Sequence, residues 1–316
     1  SFIRNHFDSK KALGISFFTA LLFAIHPVQV ETVCWISASK IVLSTFFYLS
    51  ALICYIQYMR NSKWQYLLAS VVSSILAMGC KEQSVIIVPC LLLFDWMLFK
   101  RNMRSLKVYI EKVYYLIPAI AIFIVTLVAN KDTGEEIIGY TIVDRFIFLC
   151  YSVFKYLLIS AIPFKLSYLY PFPFQVGEKI PMALWIYPFV ILFIGYVIYL
   201  NRRKPLLVFC TLFFILHLLP VLHVIPLPRY VVVADRYLYI PYIAFAIGLS
   251  ILSYHLYERQ RKWILYAGFL YCSYLCVYTA SYAPAWKNSD TLKEHFKEVL
   301  KKRETNLSIN FKHEKQ

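Results

Sequence analysis

The chain contains a series of long apolar stretches, and this pattern constrains its fold more than any other feature. A helix that crosses a bilayer needs about 20 consecutive apolar residues. We read nine such spans, some of them shorter, at about 12–25, 41–58, 64–79, 84–99, 109–129, 182–200, 205–222, 237–255 and 262–282. With 60% hydrophobic residues and a mean hydropathy of +0.61, the composition excludes an ordinary soluble domain. The sequence therefore predicts an all-α polytopic membrane protein.

The formal net charge is +16, which in a soluble protein would suggest nucleic-acid binding. Here the basic residues are concentrated in short connectors between apolar stretches, as the positive-inside rule describes, so we predict a lipid bilayer and no nucleic acid as partner. These connectors contain Arg60 and Lys63; Lys100, Arg101, Arg104, Lys107 and Lys112; Arg202, Arg203 and Lys204; and Arg259, Arg261 and Lys262. If the spans alternate, all of them lie on one face, which we assign to the cytoplasm.

Residues 142–162 are apolar enough to span but carry Asp144, Arg145 and Lys155. Counting them as a span would reverse every later connector, so we expect an amphipathic helix in the outer interface. Residues 1–283 then form the transmembrane domain. Residues 284–316 form an extracytoplasmic polar tail, with a helix expected from Asp290 to Arg303.

Ionisable residues cluster at the opposite, outer ends of the predicted spans. Each costs about 2.5–3.5 kcal/mol at membrane depth. They are His26 and Glu31; Lys81 and Glu82; Arg145; and His223, Arg229, Asp235 and Arg236. A carboxylate can act as a general base on a hydroxyl, cations stabilise an anionic leaving group, and arginine binds phosphate through a planar fork. These residues come from four connectors on one predicted face. A group-transfer site needs charges of both signs close together, and this pattern would supply them.

Each of these features also has a structural interpretation that the sequence leaves open. His26-Pro27 can simply end a helix, with Glu31 in solvent. Lys81-Glu82 can neutralise each other at a turn, and Asp235-Arg236 can form an interfacial ion pair. We interpret Asp95 and His217 as structural residues. The eight cysteines and the acidic residues show no metal-ligand spacing, so we predict neither a metal site nor a disulfide framework.

Four motifs carry a resemblance to a known family. They are Leu22-Phe23-Ala24-Ile25-His26-Pro27-Val28-Gln29-Val30-Glu31 with Trp35-Ile36-Ser37; Cys80-Lys81-Glu82-Gln83; Leu166-Ser167 with Tyr170-Pro171-Phe172-Pro173; and Ala234-Asp235-Arg236-Tyr237-Leu238-Tyr239-Ile240-Pro241. In order and spacing the chain resembles, across most of residues 12–290, the membrane region of the transmembrane and tetratricopeptide-repeat-containing O-mannosyltransferases. The bacterial-type relatives are the closer likeness. These enzymes belong to the GT-C superfamily of glycosyltransferases.

The resemblance implies a GT-C-type helical bundle and an enzyme that uses a polyprenyl-phosphate sugar as donor substrate, with no other cofactor. Transfer would go to a protein or glycan hydroxyl on the extracytoplasmic face, in a bacterial inner membrane or, in a eukaryote, the endoplasmic reticulum. Arg236 and Arg229, and less directly His26 and Lys81, would contact the donor phosphate. Glu31, Glu82 and Asp235 would orient these cations or the sugar hydroxyls.

The same resemblance implies a catalytic acidic residue in the first outer loop. We expect that loop upstream of Ser1, so these 316 residues alone are expected to be inactive. The alternatives are a flippase or transporter for a lipid-linked substrate, and an inactive membrane scaffold.

Overall fold

The computed structural model describes residues 8–129, 139–167, 170–222, 231–259, 261–295 and 297. Within these ranges the chain is helical and contains no strand, only an isolated bridge between Tyr170 and Val233. The helices are α1 Ser9–Ile25, α2 Val30–Cys34, α3 Ser39–Asn61, α4 Trp64–Cys80, α5 Ile87–Met97, α6 Leu106–Ala129, α7 Ile142–Ala161, α8 Ile186–Leu200, α9 Pro205–Leu218, α10 Pro241–Arg259 and α11 Arg261–Tyr282. Each of the nine predicted spans overlaps one of these helices.

Four helical stretches are long and apolar enough to cross a membrane: Ile36–Asn61, Leu106–Ala129, Met182–Leu200 and Lys262–Trp286. The bent pair Ser9–Ile25 and Pro27–Cys34 adds a fifth if it is one broken span, while α4 and α9 are shorter apolar helices. The structure is therefore that of a helical membrane protein. The count of nine spans stays a prediction.

The break after α1 follows from its sequence. A residue before proline avoids helical dihedral angles, and His26 is accordingly extended (φ −75°, ψ 127°). Pro27 opens a 3₁₀ turn, and the axis of the following segment departs from α1 by 55°. As a result residues 26–34 lie across one end of the bundle, which we call the site end. The end that carries Lys11, Arg101 and Glu258 is the opposite end.

Tyrosines occupy the interior, where lipid and packing exclude water and their hydroxyls need partners within the protein. The Tyr48 hydroxyl lies 2.8 Å from His217 Nε2, and the Tyr115 hydroxyl donates to Ser70 Oγ at 2.8 Å. His217 Nδ1 in turn lies 2.8 Å from the Phe213 carbonyl oxygen. These contacts confirm that His217 is a hydrogen-bonded core residue.

A buried charge network fastens α3, α5 and α6 together at the opposite end. Asp95 is fully buried, accepts a hydrogen bond from Tyr55 at 2.5 Å and pairs with Lys112 at 2.6 Å. Arg101 pairs with Glu111 at 2.5 Å. The structural role predicted for Asp95 is confirmed. The assignment of Lys112 to a basic connector was wrong, because α6 begins at Leu106 and carries the Lys112 ammonium group inward to Asp95.

Residues 142–161 form α7, as predicted, and Asp144 has a local explanation. It completes a capping box with Thr141, whose backbone N–H donates to Asp144 Oδ2 at 2.8 Å. The other face of α7 buries Ile147, Phe148 and Tyr156 in the core. Its position in the outer interface stays a prediction. In the tail a helix begins at residue 289, and the rest of the segment expected to reach Arg303 lies outside the described residues.

Candidate functional site

The connectors that carry the predicted site residues meet at the site end. Residues 26–34, the turn after α4, the Tyr170 segment and the 3₁₀ turn Asp235–Leu238 all contribute to one cluster. Ala234 is extended before this turn, and Pro241 then starts α10. The chain therefore brings Asp235 and Arg236 over the helix ends, against residues 26–34.

An ion pair between Glu31 and Arg236 forms the centre of this cluster. Glu31 is fully buried, and its Oε1 accepts from Arg236 Nη1 at 2.5 Å. The other oxygen, Oε2, accepts from the Arg236 backbone N–H at 2.8 Å. Because both oxygens of one carboxylate hold the same residue, the guanidinium is fixed in position. The interpretation of Glu31 as a solvated residue was therefore wrong.

The guanidinium of Arg236 also lies between aromatic rings. Its Cζ is 5.4 Å from the Trp35 ring centroid and 5.0 Å from that of Tyr237, distances typical of cation–π contacts. The arginine side chain is 20% exposed, whereas that of Glu31 is fully buried. A guanidinium has five N–H donors, so the pair with Glu31 leaves it the capacity to bind an anion from the accessible side.

Asp235 lies beside this pair but does not bond to the guanidinium. Its Oδ1 accepts a hydrogen bond from the Tyr170 hydroxyl at 2.9 Å, while Oδ2 is buried without a hydrogen-bond partner among the described residues. Burial, and then the nearby charge of Glu31, raises the pKa of the Asp235 carboxyl well above its usual range. An Asp235–Arg236 ion pair was one interpretation of the sequence. The pair that forms is Glu31–Arg236.

Lys81 and Arg236 line the same small cavity, of about 30 Å³, at the site end. Lys81 Nζ lies 2.7 Å from Glu82 Oε1, so these neighbours form the ion pair that the sequence allowed. Burial works to raise the pKa of the Glu82 carboxyl, but the charge and hydrogen bond of Lys81 bring it below its usual value. A cavity of this size holds about one water-sized group. A single phosphate oxygen therefore fits inside it, with the rest of a ligand at its mouth.

The structure separates His26 from this cavity. Its ring is fully buried, lies 4.3 Å from the Tyr242 ring, and accepts the Val28 backbone N–H at Nδ1 (3.2 Å). Its Nε2 has no partner of normal hydrogen-bond geometry among the described residues. His26 therefore caps the turn after α1 and does not line the cavity beside Arg236. Arg229, the other predicted phosphate contact, and His223 lie outside the described residues.

Sequence reasoning missed the polar lining of the cavity. Ser44 and Ser84 lie with their Oγ atoms 2.6 Å apart, and Tyr48 and His217 form the next hydrogen-bonded pair along the wall. Ser44 and Tyr48 are four residues apart on α3, so they share one helix face. Polar residues four positions apart within an apolar stretch are the sequence signal that could have identified this wall of the cavity.

Among the described residues no group of three or more His, Cys, Asp or Glu side chains is arranged to hold a metal ion. Comparison of the chain with family models, curated proteins and solved structures finds no match. Fold and site together define a helical membrane protein with a buried, arginine-centred polar site at one end of its bundle.

Proposed function

We propose that this protein is a glycosyltransferase of the GT-C type that moves a sugar from a polyprenyl-phosphate donor to a protein or glycan hydroxyl on the extracytoplasmic face. The observation that carries the proposal is the Glu31–Arg236 pair beside Lys81, at one end of an apolar bundle. Two cations around a cavity with room for one phosphate oxygen suit a ligand with an anionic head and an apolar tail. The resemblance in sequence supplies the sugar and the transfer reaction.

In this reaction the acceptor oxygen attacks the anomeric carbon as the bond from that carbon to the phosphate oxygen breaks. The electron pair leaves with the polyprenyl phosphate, and the acceptor proton passes to a carboxylate base. Arg236, fixed by Glu31, and Lys81 would stabilise the negative charge that grows on the departing phosphate. Attack from the opposite face would invert the anomeric configuration; this part of the proposal rests on analogy with GT-C enzymes.

A carrier for lipid-linked sugars is the second candidate, and one observation favours it. Glu31 and Glu82 are both engaged in ion pairs, and Asp235 is buried beside them. In the enzyme we therefore assign these three carboxylates to positioning rather than to proton abstraction. A carrier needs no base, and the same cations would serve to bind its cargo.

The two candidates differ in their products. The full-length protein, reconstituted in vesicles, is supplied with a polyprenyl-phosphate sugar labelled in the sugar, together with acceptor peptides and glycans. An enzyme produces labelled acceptor and an equal amount of free polyprenyl phosphate. Movement of intact donor between leaflets without either product would contradict the transferase and support the carrier. A protein that does neither would be a scaffold, and the proposal would fail.

A further inference from the structure

An apolar groove lies between α5 and α9. These two helices contact each other directly through Phe94 and Phe209, whose ring centroids are 5.5 Å apart. Next to this contact they leave a groove with a volume of about 440 Å³, which we call the α5–α9 groove. Along α5 it extends from Pro89 to Trp96, about 10 Å at the helical rise of 1.5 Å per residue.

The walls of the α5–α9 groove are apolar and face outward. They consist of leucine, isoleucine and proline side chains from the two helices, with Trp96 and Met103 at one end. Trp96, Leu212 and Leu219 are exposed, so the groove opens on the outer surface of the bundle. A hydrocarbon chain fits such a lining, whereas a sugar or a peptide would leave its own polar groups unpaired.

The end of the groove at Trp96 lies at the opposite end of the bundle. Trp96 directly follows Asp95, which belongs to the buried charge network there. The chain then turns back through Lys100, whose backbone is left-handed (φ 50°), and Met103 of the same connector lines the groove. An exposed tryptophan near the end of an apolar helix is typical of the boundary between hydrocarbon and headgroups. The mouth of the groove is therefore at headgroup depth.

Two exposed cations are close to this mouth in the sequence. Arg104 directly follows Met103, Lys100 precedes it by three residues, and both side chains are exposed. Neither forms an ion pair with another residue that the structure describes, whereas Arg101 of the same connector pairs with Glu111. Basic residues beside a gap between membrane helices are typical of binding sites for anionic lipid headgroups. The charge at the mouth and the apolar walls thus complement the two parts of an anionic phospholipid.

The position of these cations separates such a lipid from the sugar donor. Lys100 and Arg104 are at the opposite end of the bundle, and Arg236 is at the site end, so one phosphate cannot contact both sets. In the orientation that we predict, the opposite end faces the cytoplasm. The cytoplasmic leaflet is the one that carries anionic phospholipids.

We propose that the α5–α9 groove binds an acyl chain of an anionic glycerophospholipid, with the headgroup phosphate on Lys100 and Arg104. The bound lipid would contact α5 and α9 at the same time. Toward the site end, the polar cavity is lined in part by Ile86, just before α5, and by His217 on α9. The lipid would therefore hold together two helices that support the candidate site. Its binding requires no sugar transfer, so it is measured without a donor.

The test uses phosphatidylglycerol that carries a photoactivatable diazirine in one acyl chain. The full-length protein is irradiated in phosphatidylcholine nanodiscs that contain this probe, and labelled peptides are mapped by mass spectrometry. We expect labels on α5 and α9, and unlabelled phosphatidylglycerol in the nanodiscs should remove them. A phosphatidylcholine probe with the same diazirine chain should label these helices about tenfold less, because it has no net negative charge.

A charge variant tests the mouth of the groove. Lys100→Gln/Arg104→Gln removes both cations. Arg259→Gln/Lys262→Gln removes two exposed charges from the connector between α10 and α11 at the same end, and is the matched control. We expect the mouth variant to lower labelling by the phosphatidylglycerol probe about tenfold, and the control to leave it unchanged.

A second variant tests the walls and leaves both cations in place. Leu212→Trp puts an indole ring into the groove, and Leu192→Trp on the exposed surface of α8 is its control. We expect Leu212→Trp to lower labelling strongly and Leu192→Trp to match wild type. Equal labelling by the two probes, or wild-type labelling in either groove variant, would overturn the proposal. Absence of label from α5 and α9, the result expected if another protein segment covers the groove, would overturn it as well.

Discussion

At the scale of single residues, the buried pair of Glu31 and Arg236 holds the candidate site together. Removing one member of such a pair leaves the other charge buried without a partner. We predict that Glu31→Ala lowers the free energy of unfolding by about 3 kcal/mol, near the lower end of the range for buried pairs because Arg236 is one-fifth exposed. The double variant Glu31→Ala/Arg236→Ala should recover much of the lost free energy of unfolding, because it leaves no unpaired charge. Denaturant titration in detergent measures both.

The control for this cycle is the pair of Lys11 and Glu258 at the opposite end, where both side chains are nearly half exposed. Glu258→Gln should change the unfolding midpoint little, because solvent screens an exposed pair. Equal losses in Glu31→Ala and Glu258→Gln would show that the central pair is not buried as described.

Asp235 gives a pH-dependent prediction. Its pKa is raised in the folded protein, so from about pH 4 upward, where an unfolded aspartate ionises, the unfolded state releases a proton that the native state retains. Asp235 therefore costs stability increasingly as pH rises toward its folded pKa. We predict that the melting temperature of Asp235→Asn rises relative to wild type between pH 4 and pH 8. A difference that stays constant with pH would contradict this.

At the scale of helices, the charge network at the opposite end joins three of them. Lys112→Met would leave Asp95 buried without its ammonium partner, and we predict a loss of about 3–5 kcal/mol in unfolding free energy. Adding Asp95→Asn should restore more than half of it. Lys107→Met, on the exposed face of the same helix, is the control and should have little effect. A similar effect of both lysine substitutions would argue against the network.

The same helices show what sequence can and cannot predict. The apolar stretches located ten of the eleven named helices, all except the short α2, because hydropathy is a local property of the chain. Lys112 was wrongly placed in a connector, because its partners Asp95 on α5 and Tyr55 on α3 belong to other helices that a local pattern does not reveal. The 3₁₀ turn that begins at Pro27 also has a local cause, because a proline opens it, whereas the turn Asp235–Leu238 has neither a proline nor a side-chain cap. Their contact joins residues 205 positions apart, and no local pattern specifies such a partner.

At the scale of the whole molecule, alternation of the spans predicted that the charged connectors meet at one end. It did not predict which charges pair, because pairing depends on the packing of segments that are distant in sequence.

Orientation in the membrane can be tested with a native residue. Cys34 is exposed at the site end, three positions after Glu31. If this end is extracytoplasmic, a membrane-impermeant maleimide should label Cys34 in intact cells, and Cys34→Ser should abolish that label. Labelling only after the cells are opened would place the site on the cytoplasmic face and contradict the proposed orientation.

The role proposed for Arg236 predicts how fast the full-length protein transfers sugar when this residue is changed. We predict that Arg236→Ala lowers kcat/KM for the polyprenyl-phosphate sugar by about 100-fold or more, the usual loss when one stabilising donor is removed. Arg236→Lys should lose less, and Arg203→Ala, at an exposed position between α8 and α9, should match wild type. Rates are expressed per folded protein. Wild-type kcat/KM in Arg236→Ala would contradict the account.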